Sequence, residues 1–462
     1  MIRLTLAEVA HAVGGRLDGG ADPASAVTAA PVVDSRRAGP GTLFVAVRGD
    51  RVDGHDFAPA ALAAGAVAVL AAAPLGRPAV VVDDVVEGLG RLAAEVLRRL
   101  PGLHVVGVTG SSGKTTTKDL LAAVLAADGP TVAASDSFNN EIGLPLTACA
   151  ADGDTRYLVL EYSARGRGHI SYLTGIARPD VAVVLNVGDA HVGEFGSRDA
   201  IATAKAELVE GLAADGTAVL NADDPLVSAM AARAPGRVVT FGLGAGALVR
   251  AGKVTLDECG RPGFGLRSGD GSPVPVRLGY VGAHQVPNAL AAAAAAGVLG
   301  LPLLAIAAAL SDARPVSRWR MELRELPRRI LLLNDAYNAN PDSVRAALTT
   351  LTHLRGQGAG QRRGWAVLGE MLELGPYGAQ AHADVGRLAV ALGVDRIVAV
   401  GDGAAGIDTA ARAAGGRSIR VADADEAATL LAAELGPGDV VLVKASRRVG
   451  LERVAAALEN LS

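Results

Sequence analysis

Short apolar runs alternate with longer Ala- and Leu-rich stretches along nearly the whole chain. The runs in "VVGVTG", "RYLVLEYS", "VAVVLNVG" and "GTAVLNADD" each close on Gly, Ser or Asp, and helix-like stretches separate most of them. This is the sequence form of a parallel α/β sheet, with functional residues expected at the carboxyl ends of the strands. "ILLLNDAYN", "GWAVLGE", "RIVAVGD" and "DVVLVKAS" repeat the alternation near the C-terminus and predict a separate, Rossmann-like unit. Residues 243–281, rich in Gly and alternating in character, predict a small β excursion inside the central unit. Breaks at Pro101–Gly102 and within "SDARPVSRWR" (311–320) divide this α/β chain into three domains, 1–101, 102–314 and 315–462.

One stretch tests that picture. "ALAAAAAAGVLGLPLLAIAAAL", 289–310, is uncharged over about the length of a bilayer span. Its alanines are only weakly hydrophobic, and "GLP" at 300–302 would break a helix. Two short buried helices are expected there, and no membrane span. The N-terminal "MIRLTLAEVAHAVGG" lacks the apolar core of a signal peptide. Cys149 and Cys259 are too few and too far apart for a disulfide framework or a zinc site, so a reducing cytoplasm is the expected compartment. With a net charge of −4, no basic block and 3% aromatic residues, nothing points to a nucleic-acid partner. A monomer is the default expectation.

Positive charge is distributed unevenly: of 44 basic residues, 39 are arginine and 5 are lysine. Lys114 and Lys118 fall in or beside "VVGVTGSSGKTTTKDLLAAVL", a strand, a Gly/Ser turn and a helix opening with Lys-Thr-Thr. Backbone N–H groups of such a turn and the helix N-terminus hold a polyphosphate. The candidate ATP site is Thr109, Gly110, Ser111, Ser112, Gly113, Lys114, Thr115 and Thr116. Lys114 would reach the outer phosphates and the Thr115 hydroxyl would take a Mg²⁺ position. Val108 stands where the longer GxxxxGK[ST] pattern has its first Gly, so the form present is the shorter TGxxGKT.

Glu161 ends one downstream strand and His191 follows another, and both are candidate metal ligands. Lys205, in "GSRDAIATAKAEL", admits two readings. A surface lysine would pair with a neighbour such as Glu207. A buried one, held neutral, could add CO₂ and become a carbamate, which an arginine cannot do because its guanidinium stays protonated.

Taken together, these segments resemble the Mur ligases, ATP-dependent peptide-forming enzymes of peptidoglycan precursor synthesis. "VDSRRAGPGTLFVAVRGDRVDGHDFAPAALAAGAVAVL" is similar to the family's uridine-nucleotide-binding first domain. "TGSSGKTTTK", "FNNEIGLPLT", "NVGDAHVGEFGSRDAIATAKAEL", "NADDP" and "HQVPNALAAAA" resemble its central ATPase domain. "VSRWRMEL", "NDAYNANPDS", "LGEMLELG" and "VLVKASRRVGLE" resemble its C-terminal domain. Within the family, "FNNEIGLPLT", "EFGS" and "DAYNANPDS" point to the member that joins D-alanyl-D-alanine to UDP-N-acetylmuramoyl-tripeptide.

The resemblance implies catalytic roles for Lys114, His191 and Lys205. It implies metal ligation by Thr115, Glu161, His191 and a carbamylated Lys205, with one or two Mg²⁺. Asn288, Arg320 and Asp335 would contact the nucleotide, and Asp34, Ser35 and Arg36 the UDP-sugar. The implied reaction passes through an acyl phosphate to amide, ADP and phosphate. A non-catalytic scaffold would be expected to lose Lys114, Lys205 or His191, and none is lost. Three departures stand out: "EYS" at 161–163 where a small hydrophobe and Gly usually follow the Glu, Asn334 in a common Asp position, and Trp319. They leave open a paralogue with an altered acceptor or donor, such as one using D-alanyl-D-lactate or serving a natural-product pathway.

Overall fold

The computed structural model describes the chain except for residues 50–51, 135–136, 190–191, 357–359 and 461–462. Its architecture is α/β, with three main sheets in sequence order. The first has four strands, in the order Arg16–Asp18, Ala79–Val81, Ala68–Ala71, Leu43–Val45. The last three of these pair in parallel.

The central sheet holds the strand that leads into the Gly/Ser turn at 110–113. His104–Thr109 lies between Tyr157–Glu161 and Val181–Val184, and Thr217–Asn221 and Arg237–Gly242 follow outward, all parallel. These strands are near-continuous buried aliphatics, as a sheet covered on both faces requires. Beyond Val249–Ala251 the pairing turns antiparallel through Pro262–Ser268 and Val274–Arg277. That is the β excursion expected over 243–281.

The alanine-rich stretch forms two helices, Gln285–Val298 and Leu303–Asp312, with Gly300 at φ +91° between them. The first packs on the helix Lys114–Ala126, and eleven of its fourteen residues are buried. No helix among the described residues is long and apolar enough to cross a membrane.

The C-terminal sheet runs Glu322–Leu326, Ile330–Asn334, Val440–Lys444, Gly364–Leu368, Arg396–Val400, Ser418–Val421. All its pairs are parallel except the first. The carboxyl ends of Ile330–Asn334 and Val440–Lys444 lead into residues that line a cavity shared with the phosphate loop.

Candidate active site

His104–Thr109 runs through the turn 110–113 into the helix Lys114–Ala126. Gly113 caps that helix at φ +82°, and a Cβ there would fall 2.3 Å from Asn288 Oδ1, so the turn closes only around glycine. Ser111, Ser112, Gly113, Lys114, Thr115 and Thr116 line a cavity of about 610 Å³. Thr109 and Gly110 lie beneath it. The Thr109 hydroxyl donates to Tyr162 O at 2.8 Å, and Gly110 O accepts from the Lys114 ammonium at 2.6 Å. Burial lowers the Lys114 pKa, Glu161 opposes that, and the Arg320 charge adds to it.

Two side-chain atoms of residues lining this cavity are buried without a hydrogen-bond partner: Glu161 Oε1 and Arg320 Nε. The other Glu161 oxygen has Asn139 Nδ2 at 3.4 Å. An orphaned carboxylate oxygen is what a divalent cation satisfies, and an orphaned guanidinium N–H suits a phosphate oxygen. The residues present therefore fit Mg²⁺ and a polyphosphate. Among the described residues no three His, Cys, Asp or Glu converge on a metal position. His191 lies outside the described residues. The Thr115 hydroxyl is 2.9 Å from Ser137 Oγ, which also accepts from Arg320 Nη2 at 2.5 Å.

Lys205 sits on the helix Arg198–Glu210, capped by Ser197, and is 7% exposed. It is not among the described residues that line the cavity, but it is close enough to Lys114 to feel its charge. Burial first, and Lys114 second, push its pKa well below the ordinary lysine value. Glu207 does not neutralise it. That carboxylate accepts the N–H groups of Gly168, at 2.7 Å, and Ser171, at 3.0 Å, and so caps the helix His169–Ile176. Lys205 is thus buried, and the surface pair with Glu207 is not formed.

The C-terminal sheet closes the opposite wall. Arg320 stacks 4.0 Å from the centre of the Tyr337 ring. Asp335 accepts Met321 N–H at 3.0 Å and an ion pair from Lys444, which also donates to Asn338 O at 2.9 Å. Asn288, 6% exposed, donates to Gln285 Oε1 at 2.8 Å. Lys114, Glu161, Asn288, Arg320 and Asp335 thus share one cavity although they span more than two hundred residues of chain. Asp34, Ser35 and Arg36 are not brought to it. They form a short turn of the first domain, where Asp34 accepts from Arg36 at 2.7 Å.

Tyr162 adds nothing to the cavity. Its ring is fully buried beside Gly107, where a Cβ would lie 2.8 Å from the ring, and its hydroxyl donates to Ala177 O. Ser163 does line the cavity. Trp319 is stacked by the guanidinium groups of Arg318 and Arg447. Sequence reasoning missed Ser137, Asn186 and Lys444 as cavity residues. Asn186 and Lys444 could have been found from their place at or just past the carboxyl ends of strands. Asn186 accepts the Ser112 N–H at 2.9 Å and so fixes the phosphate loop.

Three family models match in order along the chain: "Mur ligase family, catalytic domain" over 32–100, "Mur ligase middle domain" over 108–296, and "Mur ligase, glutamate ligase domain" over 319–447. Over 500 aligned residues the chain is 47% identical to the UDP-N-acetylmuramoyl-tripeptide--D-alanyl-D-alanine ligase of Mycobacterium tuberculosis H37Rv, covering 99% of this chain and 98% of that one. The chain belongs to the Mur ligase family. A Mur ligase of the same description from Escherichia coli K12 is 36% identical over 466 residues, covering 100% and 99%. Among solved Mur ligases, MurF from Acinetobacter baumannii superposes with a TM-score of 0.86 at 31% identity over 99% of both chains. MurF from Thermotoga maritima in complex with ADP gives 0.79 at 32% identity, over 94% of this chain and 97% of that one.

Proposed function

We propose that this Mur ligase joins D-alanyl-D-alanine to UDP-N-acetylmuramoyl-tripeptide, converting ATP to ADP and phosphate in peptidoglycan precursor synthesis. The observation that carries the reading is the full-length 47% identity to a protein named for that reaction. The cavity chemistry supports it. The γ-phosphate of ATP passes to the tripeptide carboxylate, giving an acyl phosphate. The dipeptide amine then forms the C–N bond as the C–O bond to phosphate breaks.

The main obstacle is anion meeting anion. Lys114 and the unpaired Arg320 N–H face it from two domains, an electrostatic role that requires no rearrangement during the reaction. Mg²⁺, held by the Thr115 hydroxyl, Glu161, His191 and Lys205 as its carbamate, would supply further charge neutralisation. A neutral Lys205 amine adds CO₂ with loss of one proton, which turns an uncharged amine into a carbamate anion, a carboxylate analogue. Asn288 and Asp335 would hold the nucleoside. We assign Asp34, Ser35 and Arg36 to the UDP-sugar, in a working division of 1–101, 102–314 and 315–462, with the enzyme acting in the cytoplasm as a monomer.

Tyr162 is buried away from the cavity, which leaves Ser163 as the departure that faces it. The test is ATP-dependent phosphate release with UDP-N-acetylmuramoyl-tripeptide, offered D-alanyl-D-alanine and D-alanyl-D-lactate in parallel. Release that requires both peptide substrates and is strongest with D-alanyl-D-alanine is expected. Preference for the depsipeptide, or no turnover with either, overturns the reading.

A further inference from the structure

A second cavity, of about 760 Å³, lies beside the nucleotide cavity and is walled by both domains. Its size is that of a small-molecule site. The central domain contributes Asp189 and Arg198, and the C-terminal domain contributes Asp342, Arg345, Leu374 and Tyr377. Asp342 lines both cavities and marks where they meet. Its Oδ2 sits so close over Gly188 that a Cβ there would fall 2.1 Å away. Gly188 in turn donates its N–H to the Ser111 hydroxyl of the phosphate loop at 2.9 Å. The Asp342 carboxylate is therefore one residue removed from the loop that holds the phosphates.

The charges in this cavity are of both signs: Asp342 and Arg345 lie on one helix, Pro341–Arg355, while Asp384 and Arg387 come from the helix Gly378–Ala391. Asp342 and Asp189 form an acidic end, with no cation closer to Asp189 among the described residues than the half-exposed Arg198 at 3.6 Å. The Asp342 carboxyl is open to the cavity, yet the protein packed around it and the Asp189 charge raise its pKa. Arg345, one turn further on, is exposed into the cavity and acts on Asp342 and Asp384 through space. Residues three apart on a helix stand about 5–6 Å from each other. An extended dipeptide places its two charged ends about two residue lengths of ~3.3–3.6 Å apart. The half-exposed Tyr377 adds apolar surface to the same cavity.

We propose that this second cavity is the subsite of the incoming dipeptide, with its ammonium at Asp342 and its carboxylate at Arg345. The proposal rests on the ligase reading above and adds where the third substrate binds. It places the amine at the junction with the nucleotide cavity, facing the tripeptide carboxylate, and leaves the dipeptide carboxylate outside.

The experiment measures steady-state kinetics of the full chain and of Asp342→Asn and Arg345→Gln, varying each substrate with the others saturating. D-alanyl-D-alaninamide is offered beside D-alanyl-D-alanine. Losing one charge-assisted contact predicts a rise of about 10–100-fold in KM for the dipeptide. KM for ATP and for the UDP-linked tripeptide should stay near the wild-type values. Wild type should prefer the acid to the amide, and Arg345→Gln should lose that preference, which a general loss of structure would not produce. Wild-type turnover with an unchanged dipeptide KM in both variants, or a retained acid preference in Arg345→Gln, overturns the subsite alone. No wild-type turnover with D-alanyl-D-alanine overturns the ligase reading and the subsite together. Should Asp342→Asn fail to fold, Arg345→Gln and the amide comparison still decide.

Discussion

Lys205 and Lys444 are both buried lysines, Lys444 lining the cavity and Lys205 within reach of the Lys114 charge, and the protein sets them in opposite ways. Lys444, 2% exposed, meets the Asp335 carboxylate and the Asn338 carbonyl. Lys205, 7% exposed, meets burial and the repulsion of Lys114. In a chain where 39 of 44 basic residues are arginine, both positions keep an amine for different reasons. At 444 a compact ammonium fits between two acceptors at a strand end, where a planar five-donor guanidinium would leave N–H groups unsatisfied. At 205 the useful property is that an amine can be neutral. One lysine holds the C-terminal wall in place, and the other is the amine that we propose is carbamylated.

The comparison breaks most visibly at Lys444. Lys444→Met leaves the Asp335 carboxylate buried without its cation, which costs about 3–5 kcal/mol. Denaturant unfolding should show that loss in the transition of the C-terminal domain. Replacing both partners, Lys444→Met with Asp335→Leu, should recover most of the stability, because an apolar pair leaves no charge stranded. The double variant should remain poor in ATP binding. A single variant as stable as wild type would sink the argument that the pair anchors this wall.

Lys205 should behave in the reverse way. Lys205→Met and Lys205→Arg remove the amine that we propose is carbamylated, and turnover should fall about 10²–10³-fold, the scale of losing one preorganised electrostatic group. Folding stability of Lys205→Met should stay level or rise, since an amine whose charged form is disfavoured by burial and by Lys114 is removed. Enzyme stripped of CO₂ should regain turnover when bicarbonate is added, and Lys205→Arg should not. Wild-type turnover in Lys205→Arg rules out the carbamate.

This contrast also marks how far the sequence could be read. The parallel strands were legible because burial on both faces makes them unbroken aliphatic runs, and the antiparallel excursion because Gly and alternation interrupt that pattern. Lys114 was legible because its partners are local: Gly110 is four residues away. The Lys444 pair was not, because Asp335 lies 109 residues upstream and nothing in either segment names the other. Tyr162 was misleading for a geometric reason. Successive residues at a strand end point to opposite faces, so the neighbour of a cavity-facing Glu161 turns into the core, where Gly107 makes room. The two readings of Lys205 could be separated only by seeing where the Glu207 carboxylate goes, to the N-terminus of a helix some forty residues upstream in sequence.

The smallest effect sharpens the comparison most. His284 lines the same cavity, and burial, with the Lys444 charge adding and Asp335 opposing, lowers its pKa from 6.5 to about 4. Its Nε2 stands 3.0 Å from Gln285 Nε2, so the ring must accept there, which fits the neutral form. Between about pH 4 and 6.5 the unfolded chain carries a proton on this residue that the folded chain lacks. Stability attributable to His284 therefore rises with pH across that window, by at most about 1.4 kcal/mol per pH unit, and is level above it. His284→Gln should lack this slope, read as the wild-type minus variant difference in unfolding free energy. In Lys444→Met the cation that opposes protonation is gone while Asp335 remains, so the His284 pKa, followed by NMR, should climb back toward 6.5. A His284 pKa indifferent to Lys444 would mean that the ammonium at 444 is spent wholly on Asp335 and Asn338, and that it is electrostatically silent toward its neighbour where Lys114 acts on Lys205.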